Sequence, residues 1–65
     1  MEGLRMKTYR VDYSNEKLGL EYEFDIITAK SDKEVLSEIL NDDRYETIWD
    51  VVQLNDEYEE IKSIW

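Results

Sequence analysis

Seventeen carboxylates and no histidine or cysteine set what chemistry this chain could perform. Catalysis by a nucleophile and its base needs a group poised near neutral pH, most often His, Cys or a Lys with a displaced pKa. Two of those three residue types are missing. Ser14 falls in a turn-like stretch, Ser31 at a helix start and Ser63 near the C-terminus, and no histidine is present to activate any serine. Paired carboxylates can hydrolyse glycosides, but 65 residues leave no room for a sugar-sized cleft. The sequence therefore predicts a protein that is not an enzyme and acts by binding.

Other ligand chemistries are equally restricted. Asn41, Asp42 and Asp43 offer oxygen ligands for calcium or magnesium, yet they lack the spacing and central glycine of an EF-hand loop, so they read as the loop that ends a helix. Gly3 and Gly19 are the only glycines, too few for a phosphate-cradling loop, and no cofactor is implied. Direct nucleic-acid binding requires a basic patch. The one mildly basic stretch, Arg5 to Arg10, is outweighed by a net charge of −9.

Most of that charge falls on residues 21–65, because the first twenty balance Arg5, Lys7, Arg10 and Lys17 against Glu2, Asp12 and Glu16. Such a field repels nucleic acid and anionic membrane and speeds encounter with a basic surface; it also serves plain solubility. Glu21, Glu23 and Asp25 alternate along one segment, so in a strand they project from one face about 6.7 Å apart, a phosphate-like spacing. Asp42, Asp43 and Glu46, then Asp56, Glu57, Glu59 and Glu60, could extend that surface. A DNA-binding protein reads the duplex backbone largely through Lys and Arg contacts to phosphate, so a folded carboxylate lattice could fill the same groove. The ordinary reading of these acids is a solvated face.

The elements that must position these groups are read from periodicity. Tyr9, Val11 and Tyr13 alternate with Thr8, Arg10 and Asp12, which predicts a half-buried strand. Ser14 to Gly19 is turn-like, with Gly19 able to supply a positive φ. Leu20, Tyr22, Phe24 and Ile26 then alternate with Glu21, Glu23 and Asp25, completing a hairpin. Pairing Ser14 with Gly19 sets Tyr13 against Leu20, Val11 against Tyr22 and Tyr9 against Phe24 on a core face. On the wet face the same register puts Arg10 opposite Glu23 and, unfavourably, Asp12 opposite Glu21.

Ser31-Asp32-Lys33-Glu34 fits a capping box, and Val35, Leu36, Ile39 and Leu40 form an apolar stripe, predicting a helix that packs on the hairpin. Asn41 can end it in the left-handed conformation. Thr47, Ile48, Trp49, Val51 and Val52 favour a third strand within Tyr45 to Leu54. Residues 56–65 fit either a short terminal helix, with acids early and Tyr58, Ile61, Ile64 and Trp65 at helical spacing, or a short fourth strand.

The expected architecture is an α+β domain spanning residues 1–65: an antiparallel sheet of three or four strands with one main helix on one face, in the order ββαβ and then a short helix or strand. Met6-Lys7 resembles a second start, which would make residues 1–5 an extension. The N-terminus lacks the apolar stretch of a signal peptide, no apolar run reaches the ~18 residues of a membrane span, and the absence of Cys suits a reducing cytoplasm. Trp49, Trp65 and Ile27 are more apolar surface than one helix can cover, so a homodimer is expected.

Over residues 7–40 the order of strand, turn, acidic-faced strand, Ala29-Lys30-Ser31-Asp32-Lys33-Glu34 and amphipathic helix resembles the small ββα-type proteins of bacteriophage and mobile elements. In size and charge the chain is similar to the DNA mimics among them. That resemblance implies inhibition of a basic host protein, such as a nucleoid-associated protein, by occupation of its DNA site. The alternative is a protein-interaction or assembly module that uses an apolar patch without mimicry.

Overall fold

The computed structural model describes residues 6–65; the expected extension at residues 1–5 lies outside the described residues. The chain runs through β1 (Lys7–Asn15), a 3-10 turn (Glu16–Leu18), β2 (Leu20–Ala29), α1 (Asp32–Leu40), β3 (Thr47–Leu54) and β4 (Glu60–Ser63). The strands form one antiparallel sheet in the order β2-β1-β3-β4. This is a small α+β fold with a four-stranded sheet and one helix. Of the two readings of residues 56–65, the strand is the one observed.

α1 covers one face of the sheet. Tyr9, Val11 and Tyr13 of β1, Ala29 of β2 and Val51 of β3 are fully buried with Val35 and Ile39 of the helix. Leu20, Ile27, Leu36, Tyr45, Ile48 and Ile64 pack around that cluster. Ile27 therefore belongs to the core margin and not to the exposed surface expected of it. Burial of Val35 and Ile39 contributes about 1.5–3 kcal/mol each. Leu40, expected in the helical stripe, is the last residue of the helix and is 65% exposed.

Both helix ends are capped. The Ser31 hydroxyl accepts from the Glu34 backbone N–H at 3.2 Å, which is the serine half of the expected box. Asn41 is not left-handed as expected; its φ is −100° and its side-chain amide donates to the Ser37 carbonyl at 2.8 Å. A side chain that satisfies one of the terminal carbonyls makes the left-handed turn unnecessary. The helix start is also tied to the sheet, since the buried Tyr9 hydroxyl donates to Asp32 at 2.6 Å and Lys62 of β4 lies 3.6 Å from the same carboxylate. The Tyr9 hydrogen bond, more than Lys62, holds Asp32 below the ordinary carboxylate range.

The hairpin register departs from the expected one. Tyr9 pairs with Ile27, Val11 with Asp25, Tyr13 with Glu23, and Asn15 with Leu20. From Tyr9 to Tyr13 the pairing is shifted by three residues from the expected one, and a strand has period two, so Tyr22, Phe24 and Ile26 change face while Leu20 stays packed against the core as expected. The cause is the turn together with a one-residue bulge in β2 beside it. β1 extends to Asn15, whose side chain accepts from the Leu18 N–H to close the 3-10 turn, and between the Asn15–Leu20 and Tyr13–Glu23 pairs the single residue Ser14 faces two, Glu21 and Tyr22. Gly19, at φ 72°, then starts β2. Neither expected wet-face pair forms: Arg10 lies opposite Ile26 and Asp12 opposite Phe24.

The β3–β4 turn carries the other left-handed residue, Tyr58 at φ 64°. Asn55 holds the turn by accepting from the Glu57 and Glu59 N–H groups. A Cβ in this region costs about 1 kcal/mol, and the Tyr58 side chain is mostly exposed and recovers little through packing. Tyr58→Gly is expected to raise stability by about 0.5–1 kcal/mol, read as a higher urea midpoint at unchanged slope. A lower midpoint would show that the tyrosine ring contributes more than its backbone costs.

Candidate functional site

The sequence-predicted carboxylates are not gathered on one surface. Glu23 shares the helix-side face of β2 with Asp25, at the edge of the sheet, and Glu21 lies in the bulge at the start of that strand. The loop with Asp42, Asp43 and Glu46 lies beside the hairpin turn: Asn15 donates to the Asp43 and Arg44 carbonyls, and Glu46 accepts from the Glu16 N–H. Asp56, Glu57 and Glu59 lie in the β3–β4 turn, at the other end of β3. The eight residues of β3 separate these two groups by about 23 Å at a strand rise of 3.3 Å per residue. Glu60 is bound to Arg10 at 3.0 Å.

Asp25 is committed to the fold. It accepts from Arg44 Nε at 3.1 Å and from the Tyr45 hydroxyl at 2.9 Å. Arg44 also donates to the Tyr13 hydroxyl at 2.9 Å, and the Tyr13 and Tyr45 rings meet edge to face with centroids 4.7 Å apart. Burial foremost, then the nearby Asp25 carboxylate, pushes both phenols above their ordinary range. This cluster locks the α1–β3 loop onto the sheet. An open cleft of about 600 Å³ beside it is lined by Lys17, Leu18, Leu40, Asp42, Arg44 and Glu46 among others. Two of its carboxylates already serve backbone N–H groups, Asp42 that of Arg44 and Glu46 that of Glu16. Among the described residues no group of three or more acids is placed to hold a metal ion.

The sheet face opposite the helix carries what the sequence placed in the core. Tyr22, Phe24 and Ile26 project there from β2 and are 68%, 60% and 45% exposed. Trp49, at the irregularity between β1 and β3, is 53% exposed and stacks against Tyr22 with centroids 6.4 Å apart. The next strands present Arg10 and Asp12 from β1 and Asp50 from β3. These charges are hydrogen-bonded: Arg10 binds Asp12 at 3.0 Å, its other arm reaches across β3 to Glu60, and Asp50 accepts from the Ser63 hydroxyl at 2.6 Å. The result is an aromatic stripe along one edge of the sheet, beside a hydrogen-bonded polar band of one cation and three carboxylates.

No protein-family model, curated protein or solved structure matches this chain.

Function must then be argued from the two surfaces themselves. Tyr22, Phe24 and Ile26 escaped notice as surface residues because alternation shows which residues share a face and not which face is covered. The adjacent pair Ile26-Ile27, apolar in both phases, was the available signal that the far end of this strand could turn either face inward. Among the described residues no helix is long and apolar enough to cross a membrane.

Proposed function

We propose that this chain is a non-catalytic protein-interaction domain whose working surface is the helix-free face of the sheet. The observation that carries this reading is the exposure of Tyr22, Phe24, Ile26 and Trp49 as one contiguous patch on a face where nothing covers β2. Exposed apolar patches of several hundred Å² on a soluble domain mark contact surfaces, and aromatic residues dominate the energetics of such contacts. Burying the patch removes apolar area from water without stripping solvent from a carboxylate, since the acids of β2 point to the other side.

The test is a photoreactive phenylalanine analogue introduced separately at Phe24, at Trp49 and at Glu34 on the exposed start of α1. In cells that express the chain, position 24 is expected to give a discrete protein adduct and position 34 none. Absence of any adduct from positions 24 and 49 would overturn the reading.

A second reading, occupation of the DNA-binding surface of a basic protein, is favoured by the net charge of −9 and by the exposed Glu21 and Glu23 lying at the same end of the molecule as Asp42, Asp43 and Glu46. Each exposed carboxylate would contribute only about 0.2–1 kcal/mol, so affinity for a basic partner should fall steeply with salt. Glu21→Lys with Glu23→Lys is the appropriate probe, because both side chains are exposed whereas Asp25 anchors Arg44 and Tyr45. Adducts from position 24 that are insensitive to this double reversal and to salt would exclude mimicry.

A further inference from the structure

Resting on the reading of the open face as the working surface, we propose that its occupant is a second copy of this chain, packed face to face so that the two β2 stripes cover each other about a two-fold axis near Phe24. Area, charge and symmetry select this partner.

The area is of the required size. With side chains of about 150–250 Å² each, the measured exposures of Tyr22, Phe24, Ile26 and Trp49 amount to roughly 500 Å² of apolar surface per copy. Two such patches remove about 1,000 Å² from water, and flanking residues such as Thr8 and Thr28 bring the contact to the ~1,200 Å² at which specific interfaces begin. A domain of 65 residues with a core covered on one side only is the kind that gains stability by self-association.

Charge separates a second copy from a partner of opposite sign. The chain as a whole is strongly acidic, yet the open side of β2 carries only Tyr22, Phe24, Ile26 and Thr28 among its central positions, and the neighbouring Arg10, Asp12, Asp50 and Glu60 are satisfied within the chain. On the stripe itself a basic surface would find no carboxylate. An uncharged patch meeting its own image has no like charges to bring together, as an isologous contact requires.

The same consideration decides how the copies meet. β2 is an edge strand, so edge-to-edge pairing is geometrically open, but it would set Glu21, Glu23 and Asp25 beside their counterparts at about 5 Å, which is repulsive. Face-to-face packing, with sheets about 10 Å apart as in a β-sandwich, leaves those acids on the outer sides. Repulsion between the two acidic chains remains at long range, so the dimer should tighten as salt rises from about 0.05 to 0.5 M.

The experiment is sedimentation equilibrium of the purified chain at about 100 μM, a concentration at which a micromolar dimer is saturated. Phe24→Lys and, as a second variant, Trp49→Lys are compared with wild type, each checked for folding by circular dichroism. The expected results are a dimer mass for wild type and dissociation at least ~100-fold easier for either variant, because each substitution enters the contact twice. A dimer unaffected by both folded variants would place the contact elsewhere and overturn the proposal. A monomeric wild type whose position-24 analogue still gives a heterologous adduct in cells overturns the second-copy assignment and leaves the interaction surface standing. A monomer with no adduct overturns both.

Discussion

Raising the pH above about 10 is expected to unfold this domain over a narrow range, because its tyrosines hold the helix side of the sheet together. Tyr9 is fully buried and donates a hydrogen bond to Asp32, and Tyr45 packs on Tyr13 and donates to Asp25. Burial foremost, with those carboxylates adding to it, pushes both phenols well above their ordinary pKa of about 10. A pKa raised in the folded state means the stabilisation is complete below the unfolded value and is lost as pH climbs from there towards the folded one. In that window the unfolded chain releases a proton that the native state retains, at about 1.4 kcal/mol per pH unit for each phenol. Tyr9 and Tyr45 together therefore withdraw about 2.7 kcal/mol per unit, enough to exhaust a small domain's stability within two or three units. Far-ultraviolet circular dichroism against pH measures it, and Tyr45→Phe should roughly halve the steepness. A native spectrum that persists through pH 12 would refute the expectation.

Asn15→Asp is expected to be the most damaging isosteric change in the molecule. Asn15 is buried at 3% exposure, where its amide nitrogen donates to the Asp43 carbonyl at 3.1 Å and the Arg44 carbonyl at 2.9 Å. Its oxygen accepts from the Leu18 N–H at 3.2 Å. A carboxylate keeps the last bond but turns a negatively charged oxygen onto two carbonyl oxygens, so two hydrogen bonds are lost and a buried charge faces repulsion, a cost of about 3 kcal/mol or more. Protonation lets the introduced group donate again, which raises its folded pKa. The penalty relative to wild type should accordingly shrink as pH falls below the carboxylate range. Chemical denaturation of both proteins at neutral and acid pH reads this directly. Equal stability of the two at pH 7 would mean that the hairpin turn and the α1–β3 loop are not joined through this side chain.

The contrast between the two halves of the hairpin shows what could be read in advance. In β1 the alternating phases differ plainly in polarity, Tyr9, Val11 and Tyr13 against Thr8, Arg10 and Asp12, and the apolar phase is the one under the helix. Ser31 and the Val35–Ile39 spacing likewise marked a helix whose cap and buried face are local properties. In β2 the apolar phase Tyr22, Phe24 and Ile26 was as clear, and it faces outward.

Sequence alone thus determined the types of β1, β2, α1 and β3, the absence of the nucleophile and base residues that most catalysis uses, the charge, and that Tyr22, Phe24 and Ile26 travel together; it left residues 56–65 open between helix and strand. It could not determine which side of the sheet those three β2 residues occupy. That was decided by a residue count beside the turn, where Asn15 closes a 3-10 turn and the single residue Ser14 faces two β2 residues, Glu21 and Tyr22. It was decided as well by distant partners: Asp25 is drawn to the helix side by Arg44 and Tyr45, nineteen and twenty residues later in the chain. A strand's period fixes relative orientation, whereas absolute orientation depends on long-range contacts that no local pattern encodes. For this chain that difference separates an acidic lattice from an aromatic face as the surface offered to a partner.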